Sequence, residues 1–321
     1  MKAIVYHEYG PPDVLRYADV DQPAPGRGEV LIQVKAASLN FGDRAAMHGK
    51  PSIMRLAFGL KRPKRTILGR DVAGVVAEVG AGVTKWRVGD EVFGELEQRG
   101  FAEYAVAPAH HLARKPAGVT FEQAATLPVA GSTALQSARR GGVGPGRTVL
   151  VNGATGGVGL FAVQLSAAQG AEVTGVCRTG NADLVHSVGA THIVDYTKDD
   201  LARTAKRFDV IIDLAGSQSL RTMRRLLTPK GVYVCTTGAG GDLLGPLPRL
   251  AQAGLTSPFV SQSLRVLAQS RNVDDLDALA RMVAEGTLTP VIERTYPLSE
   301  AAQAIRELEA NHARGKVVLV V

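Results

Sequence analysis

The chain has 321 residues, 45% hydrophobic and 21% charged, with 36 glycines; that is enough for two cores, and it excludes a disordered or disulfide-stapled protein. The net charge of +7 suits nucleic acid, anionic membrane or phosphate-bearing small molecules by sign alone. The one dense run, Lys61-Arg62-Pro63-Lys64-Arg65, has no interleaved aromatics to stack bases. A solvated loop, or a lid meeting a phosphate, is therefore expected there, and no nucleic-acid partner.

From the start to about residue 120 the chain reads as short strands separated by Gly, Pro and Asp: Lys2–Tyr6, Val30–Ala36, Val72–Val79, Asp90–Gly94 and Tyr104–Ala107. That pattern predicts an irregular, barrel-like β domain. Thr120-Phe121-Glu122-Gln123 carries a helix-start signature, a Thr cap with acid in the first turn. Strand and helix then alternate to about residue 286, with strands at Thr148–Asn152, Glu172–Val176, His192–Val194, Val210–Asp213 and Gly231–Thr236. Continuous apolar strands joined by crossover helices predict a parallel sheet covered on both faces. A helix near Ser299–Glu309 and an apolar strand at Lys316–Val321 follow, and the strand is expected to rejoin the first domain. The expected domains are thus 1–120 completed by 287–321, and 121–286.

Cys177 and Cys235 each end an apolar run and read as core residues, with no CxxC pair. With no apolar leader and no run of spanning length, a cytoplasmic protein without membrane insertion is expected.

The strongest local signal is Val149-Leu150-Val151-Asn152-Gly153-Ala154-Thr155-Gly156-Gly157-Val158-Gly159. A buried strand turns on glycines into an apolar helix, so backbone N–H groups can approach a pyrophosphate at the positive helix end. Ala154, Thr155, Gly156, Gly157 and Val158 are the expected contacts; the alternative is a tight turn with no ligand. NAD enzymes built this way hold the ribose with an acid about 20 residues on. Here the second strand runs into Cys177-Arg178-Thr179-Gly180-Asn181, with Arg178 where the acid would stand. A guanidinium pairs with a 2′-phosphate, so NADPH is the expected cofactor, with Arg178 and Asn181 at the ribose end. The alternative for Arg178 is a surface arginine with no role.

Several further stretches complete a pattern: Ser38-Leu39-Asn40-Phe41-Gly42-Asp43, Leu68-Gly69-Arg70-Asp71-Val72-Ala73-Gly74, Val88-Gly89-Asp90-Glu91-Val92-Phe93-Gly94, Leu127-Pro128-Val129-Ala130-Gly131-Ser132-Thr133-Ala134 and Gly315-Lys316-Val317-Val318-Leu319. In this order, over nearly the whole chain, they resemble the medium-chain dehydrogenase/reductase superfamily, specifically its zinc-free quinone oxidoreductase branch. The resemblance implies an α/β protein with a GroES-like catalytic domain of β-barrel type, interrupted by a Rossmann domain with a doubly wound parallel sheet, and an active site in the cleft between them. It implies a homodimer pairing through an edge strand, expected at Val232–Thr236.

Zinc-dependent members carry Cys and His-Glu where this chain has the Asn40 region and Arg70-Asp71, and catalytic zinc needs three good ligands. His110 and His111 are adjacent, and on a strand would face opposite ways; His48 falls in a loop. No metal is expected. Without a Lewis acid, the accessible hydride acceptors are electron-poor and apolar: quinones and α,β-unsaturated carbonyls. Asn40 either donates to a developing oxyanion or is a turn residue; Asp43 either lines the cleft or caps the next helix. The resemblance implies Thr133 near the nicotinamide, against a plain helix-face role. Tyr196 is expected against adenine, and Ala215, Thr236 and Phe259-Val260 at strand ends on the ligand side. Lys316 is expected to reach the cofactor phosphates. The apolar and basic segment 44–66 suggests a mobile cover over an apolar substrate.

Three other functions compete. A short-chain reductase would open with its glycine turn and carry Tyr-x-x-x-Lys; here the turn is mid-chain and Tyr196 is followed by Thr-Lys-Asp-Asp. An enoyl reductase for acyl or polyketide thioesters shares fold and cofactor. A non-enzymatic NADPH sensor or structural protein is the third.

Overall fold

The computed structural model describes residues 1–236, 241–310 and 314–321. Its contacts divide the chain into two compact units, Met1–Ser132 with Arg271–Val321, and Thr133–Ser270.

The first unit opens with the hairpin β1 (Lys2–Val5) and β2 (Arg16–Asp19), then β3 (Glu29–Ser38). Helices α1 (Phe41–His48) and α2 (Arg55–Phe58) come next, then β4 (Asp71–Val79), β5 (Glu91–Glu95), β6 (Tyr104–Pro108), β7 (Leu112–Arg114) and α3 (Phe121–Ala125). β3 is the hub: ten residues long and buried along most of its length, it pairs antiparallel with β4 and β6. The Thr120 signature is realised as a reciprocal cap. Gln123 N–H donates to Thr120 Oγ1 at 3.2 Å, and Thr120 N–H to Gln123 Oε1 at 3.0 Å.

Helix α4 (Ser132–Gly141) leads into the second unit. There β8 (Thr148–Asn152), α5 (Gly157–Ala168), β9 (Glu172–Cys177), α6 (Ala182–Ser187), β10 (His192–Asp195), β11 (Phe208–Asp213), α7 (Leu220–Leu226), β12 (Leu227–Cys235), α8 (Leu247–Thr256) and β13 (Ser263–Val266) alternate. The six strands are all parallel in the order β10-β9-β8-β11-β12-β13. Strand order reverses between β8 and β11, the place where such sheets bind ligands at their carboxyl ends.

The chain then returns to the first unit through α9 (Val273–Ala284), β14 (Ile292–Pro297), α10 (Ala301–Ala310) and β15 (Lys316–Val320). β15 lies parallel to β14 and antiparallel to β3, with Leu319 opposite Ala37. The units divide at Ser132/Thr133 and Ser270/Arg271 rather than at the expected 120 and 286. The reason is packing: α3 lies on β3 and β4, and α9 on β7 and the wide π-helical turn Leu127–Gly131.

Two expectations change. Val232–Thr236 is not a sheet edge, because β12 is covered by β13. Ser263-Leu264-Arg265-Val266 is too short and polar to announce itself as a strand. Residues 44–66 are not a free loop: Met47 is fully buried in α1, which ends with His48, and Phe58 packs on the core, leaving Leu56 and Leu60 exposed. His110 and His111 sit in a 3₁₀ turn with their rings edge to face. Cys177 and Cys235 are buried free thiols. No helix among the described residues is long and apolar enough to cross a membrane.

Candidate functional site

In the second unit the turn between β8 and α5 needs its glycines. Gly153 has φ +89°, and a Cβ on Gly159 would stand 2.1 Å from the Gly153 carbonyl oxygen, so a side chain there would force helix and turn apart. The backbone N–H groups of Thr155, Gly157 and Val158 have no acceptor among the described residues. Gly157 and Val158 belong to the opening turn of a twelve-residue helix capped by Gly156, where donors have no partner within the helix, and Thr155 stands just before the cap. Ala154 differs: it is fully buried and its N–H donates to Val176 O at 3.2 Å, so it shapes the turn without offering a donor.

Beyond β9, Arg178 is half-buried and its guanidinium makes no hydrogen bond or ion pair with the described residues. Three residues on, Asn181 is 2% exposed and its side-chain amide Nδ2 has no partner. These free donors fit an anionic, hydroxyl-rich ligand. The sequence pattern missed an acid nearby: Asp195, at the end of β10, lies in register with Cys177. Thr179 donates to it, Thr197 donates through its hydroxyl at 2.6 Å and its N–H at 3.0 Å, and Lys198 lies 3.7 Å away. The hydroxyls of Thr179 and Thr197 hold this carboxyl at about 2. Tyr196, the next residue, is 49% exposed, and Ala215 sits 3.3 Å from where a Gly153 side chain would begin.

Beneath the turn lies a buried polar floor. Arg249, reaching in from α8, donates to Asp213 at 2.6 Å and to the Tyr233 hydroxyl at 2.7 Å, and to the carbonyls of Gly216 at 2.9 Å and Gln218 at 2.5 Å. Tyr233 donates to Asp213 at 2.7 Å, and Asn152 does so at 2.8 Å. Burial and the Asp213 charge push the Tyr233 phenol far above its ordinary value. The floor ties the ends of β8, β11 and β12 to α8 and fixes the 214–218 loop. Thr236, just past β12, is buried. Phe259 and Val260 are not at a strand end on the ligand side: they precede β13, at its amino end, and Phe259 is 86% exposed.

The first unit holds a second polar cluster, around Asp71. Asn40 Nδ2 donates to Asp71 Oδ2 at 2.8 Å, Ser38 at 3.0 Å, and Val129 N–H donates to Oδ1 at 3.1 Å. Lys316 Nζ donates to Asn40 Oδ1 at 2.6 Å and to Leu39 O at 2.8 Å. Asp43 Oδ2 accepts Asn40 N–H at 2.9 Å, capping α1, while its Oδ1 is buried with no partner. Burial, with the Asp71 charge, pushes the Asp43 carboxyl up to about 7; burial raises Asp71 to about 6, with Lys316 and Asn40 pulling the other way. Burial lowers the Lys316 ammonium. Arg70 pairs with Glu95, which also accepts from Arg271 at 3.2 Å.

This geometry revises two roles. Lys316 is 4% exposed, with its donors committed to Leu39 and Asn40 inside the first unit, so they do not serve a phosphate. The Asn40 amide is likewise engaged on both sides, by Asp71 and Lys316. Thr133 is half-buried near the start of α4, where its carbonyl accepts from Ser137 at 2.7 Å.

Residues 26–117 match the family model described as Alcohol dehydrogenase GroES-like domain, and residues 188–319 that described as Zinc-binding dehydrogenase. NAD(P)H oxidoreductase RTN4IP1, mitochondrial, of Mus musculus is 33% identical, the match covering 100% of this chain and 89% of that protein. The chain belongs to the medium-chain dehydrogenase/reductase superfamily, in its quinone oxidoreductase branch.

Other members of the superfamily agree. NADPH-dependent alkenal/one oxidoreductase, chloroplastic, of Arabidopsis thaliana is 33% identical over 99% of this chain and 79% of its own. The quinone oxidoreductase from Coxiella burnetii has a TM-score of 0.88 at 30% identity, covering 100% and 99% of the two chains. The two units are thus the GroES-like and Rossmann parts of a medium-chain dehydrogenase/reductase. The second family model's description implies zinc, and the donor set does not fit it. Among the described residues no group of three or more His, Cys, Asp or Glu could hold a metal ion, and the Asp71 cluster is threaded by the Lys316 ammonium.

Proposed function

We propose that the protein is an NADPH-dependent reductase that works without zinc, passing hydride to a quinone or α,β-unsaturated carbonyl, and that it acts as a homodimer. The observation that carries this reading is the set of unsatisfied donors at the carboxyl ends of β8 and β9: the N–H groups of Thr155, Gly157 and Val158, the Asn181 amide and the Arg178 guanidinium. The names of the relatives, an NAD(P)H oxidoreductase and an NADPH-dependent alkenal/one oxidoreductase, support it.

When bound, a reduced nicotinamide supplies the hydride. Thr155, Gly157 and Val158 take the pyrophosphate, because backbone donors at a helix start favour negative charge without needing a side chain, and Gly156, whose N–H donates to Gly153 O at 3.4 Å, leaves room for its approach. Arg178 and Asn181 take the 2′-phosphorylated ribose, and Tyr196 offers its exposed ring to the adenine. Asp195 is already saturated by Thr179, Thr197 and Lys198. The charge contest at the ribose is therefore between an engaged carboxylate and a free guanidinium, and the guanidinium prevails. Thr133 is assigned to the nicotinamide. Asn40 and Asp43 form a fixed polar wall in which Asp43 holds a proton near neutral pH. The absence of a zinc-competent donor set favours acceptors already electron-poor. Dimer formation is assigned to β13, whose outer edge is unpaired among the described residues.

The test is NADPH and NADH consumption with a panel of quinones, enones and enoyl thioesters, with and without a chelator. Arg178→Ala should raise KM for NADPH at least tenfold more than for NADH; equal effects would overturn the 2′-phosphate assignment. Turnover of enoyl thioesters alone would move the substrate to acyl chains, and no turnover with intact NADPH binding would favour a sensor. Light scattering gives the oligomeric state.

A further inference from the structure

Between Asp43 and Asp71 lie 27 residues with eight Lys or Arg and no Asp or Glu. The rest of the chain holds 29 basic against 30 acidic residues, so the whole excess of +7 resides in this stretch. Part of it is neutralised: Arg44 and His48 face Glu309, Arg65 pairs with Glu97, and Arg70 pairs with Glu95. Lys61, Arg62 and Lys64 are exposed and have no partner among the described residues.

The segment carrying them is held in place. Tyr9 donates its hydroxyl to Gly59 O at 2.6 Å, and its ring lies under Arg55, 4.6 Å from the guanidinium carbon. Lys64 N–H donates to Phe58 O at 2.8 Å, closing a turn in which Gly59 has φ +123°. A Cβ on Gly59 would stand 2.0 Å from Arg62 O, so only glycine permits this closure. Pro63 is buried and Phe58 packs on the core. Two aliphatic side chains are left outside: Leu56 at 65% and Leu60 at 67% exposed.

We propose that Leu56, Leu60, Lys61, Arg62 and Lys64 form a docking face for an anionic phospholipid bilayer. Cations beside aliphatic side chains match the boundary between anionic headgroups and acyl chains, where the positive charges gain from surface potential and leucines from leaving water. A nucleic acid would use the cations but not the leucines, and would call for stacking rings that the run lacks. The ordered turn means that little conformational entropy is lost on docking. Docking leaves the reductase machinery untouched and stands independently of the substrate assigned above. It would place the protein where apolar electron acceptors dissolve.

The experiment is sedimentation of the full chain with phosphatidylcholine vesicles, with and without phosphatidylglycerol, over a range of salt. Binding to the anionic vesicles alone, fading with salt, is expected. The triple variant Lys61→Ser, Arg62→Ser, Lys64→Ser should partition about a hundredfold more weakly. Leu56→Ser with Leu60→Ser should weaken partition about tenfold while keeping the same salt dependence. Both variants should turn over a water-soluble acceptor as before. Independently of any variant, anionic vesicles should slow tryptic cleavage after Lys61 and Lys64. No binding to anionic vesicles at low salt overturns the proposal. So does a leucine variant that binds like the parent, an outcome that would make the patch a general polyanion site for nucleic acid or an acidic protein.

Discussion

Lys316 Nζ lies 2.6 Å from Asn40 Oδ1 and 3.9 Å from Asp71 Oδ2, so β15 delivers one buried cation to a cluster built from β3, α1 and β4. Removing it strands a carboxylate in the core. Lys316→Met should cost about 3–5 kcal/mol, and adding Asp71→Asn should return a substantial part of it. Urea unfolding of the two variants measures both, and a double variant no better than the single would refute the pairing.

Asp43 sets a pH dependence. Its folded carboxyl titrates at about 7, above the value of about 3.9 for a free aspartate. From about pH 4 to about 7 the folded form keeps a proton that the unfolded chain has lost. Stability from this group therefore falls as pH rises, at up to about 1.4 kcal/mol per unit, and levels off above pH 7. Asp43→Asn should remove this slope and leave only the Asp71 contribution, which ends near 6. Denaturation midpoints at pH 5, 6, 7 and 8 give the profile.

The floor beneath the Rossmann turn divides its work unequally. Tyr233→Phe loses one donor to Asp213 and one acceptor for Arg249, a cost of about 1–2 kcal/mol. Asp213→Asn leaves the buried Arg249 without its anion and should cost about 3 kcal/mol or more. It should also raise the KM for cofactor, because the 214–218 loop loses an anchor. Equal stability losses in the two variants would show that the ion pair is not the dominant contact.

Asp195 bears on cofactor choice. With the ribose placed as proposed beside Arg178 and Asn181, Asp195→Asn removes a nearby negative charge and should lower the KM for NADPH about threefold to fivefold, with little change for NADH. Lower KM for NADH instead would assign the ribose hydroxyls to a different partner.

Apart from the two-domain order and the return of the closing strand to the first unit, what could be read in the sequence was local. The glycines at 153 and 159, the Thr120 cap, the Asp43 cap and the burial of both cysteines depend on neighbours a few residues away, and periodicity reports those. What escaped depends on distance along the chain. Asp195 meets Thr179 across 16 residues, Arg249 meets Asp213 across 36, and Lys316 meets Asn40 across 276. Strand β13 escaped for another reason: four residues with two polar side chains carry no strand signal, yet they cover β12 and move the open edge outward.

The return of β15 to β3 also sets an order of events during synthesis. The second unit is one continuous stretch and can close its core while the ribosome is still adding residues, whereas the first must wait for Lys316. Until then the Ala36–Ser38 end of β3, beyond its pairing with β6, lacks the partner that β15 supplies, and Asp71 lacks its cation, which makes that strand end the natural client of a chaperone. Ribosome-bound chains halted just before Lys316, so that Ser270 has cleared the exit tunnel, should resist protease across 133–270 and be cut within 1–132; the reverse pattern would overturn this order.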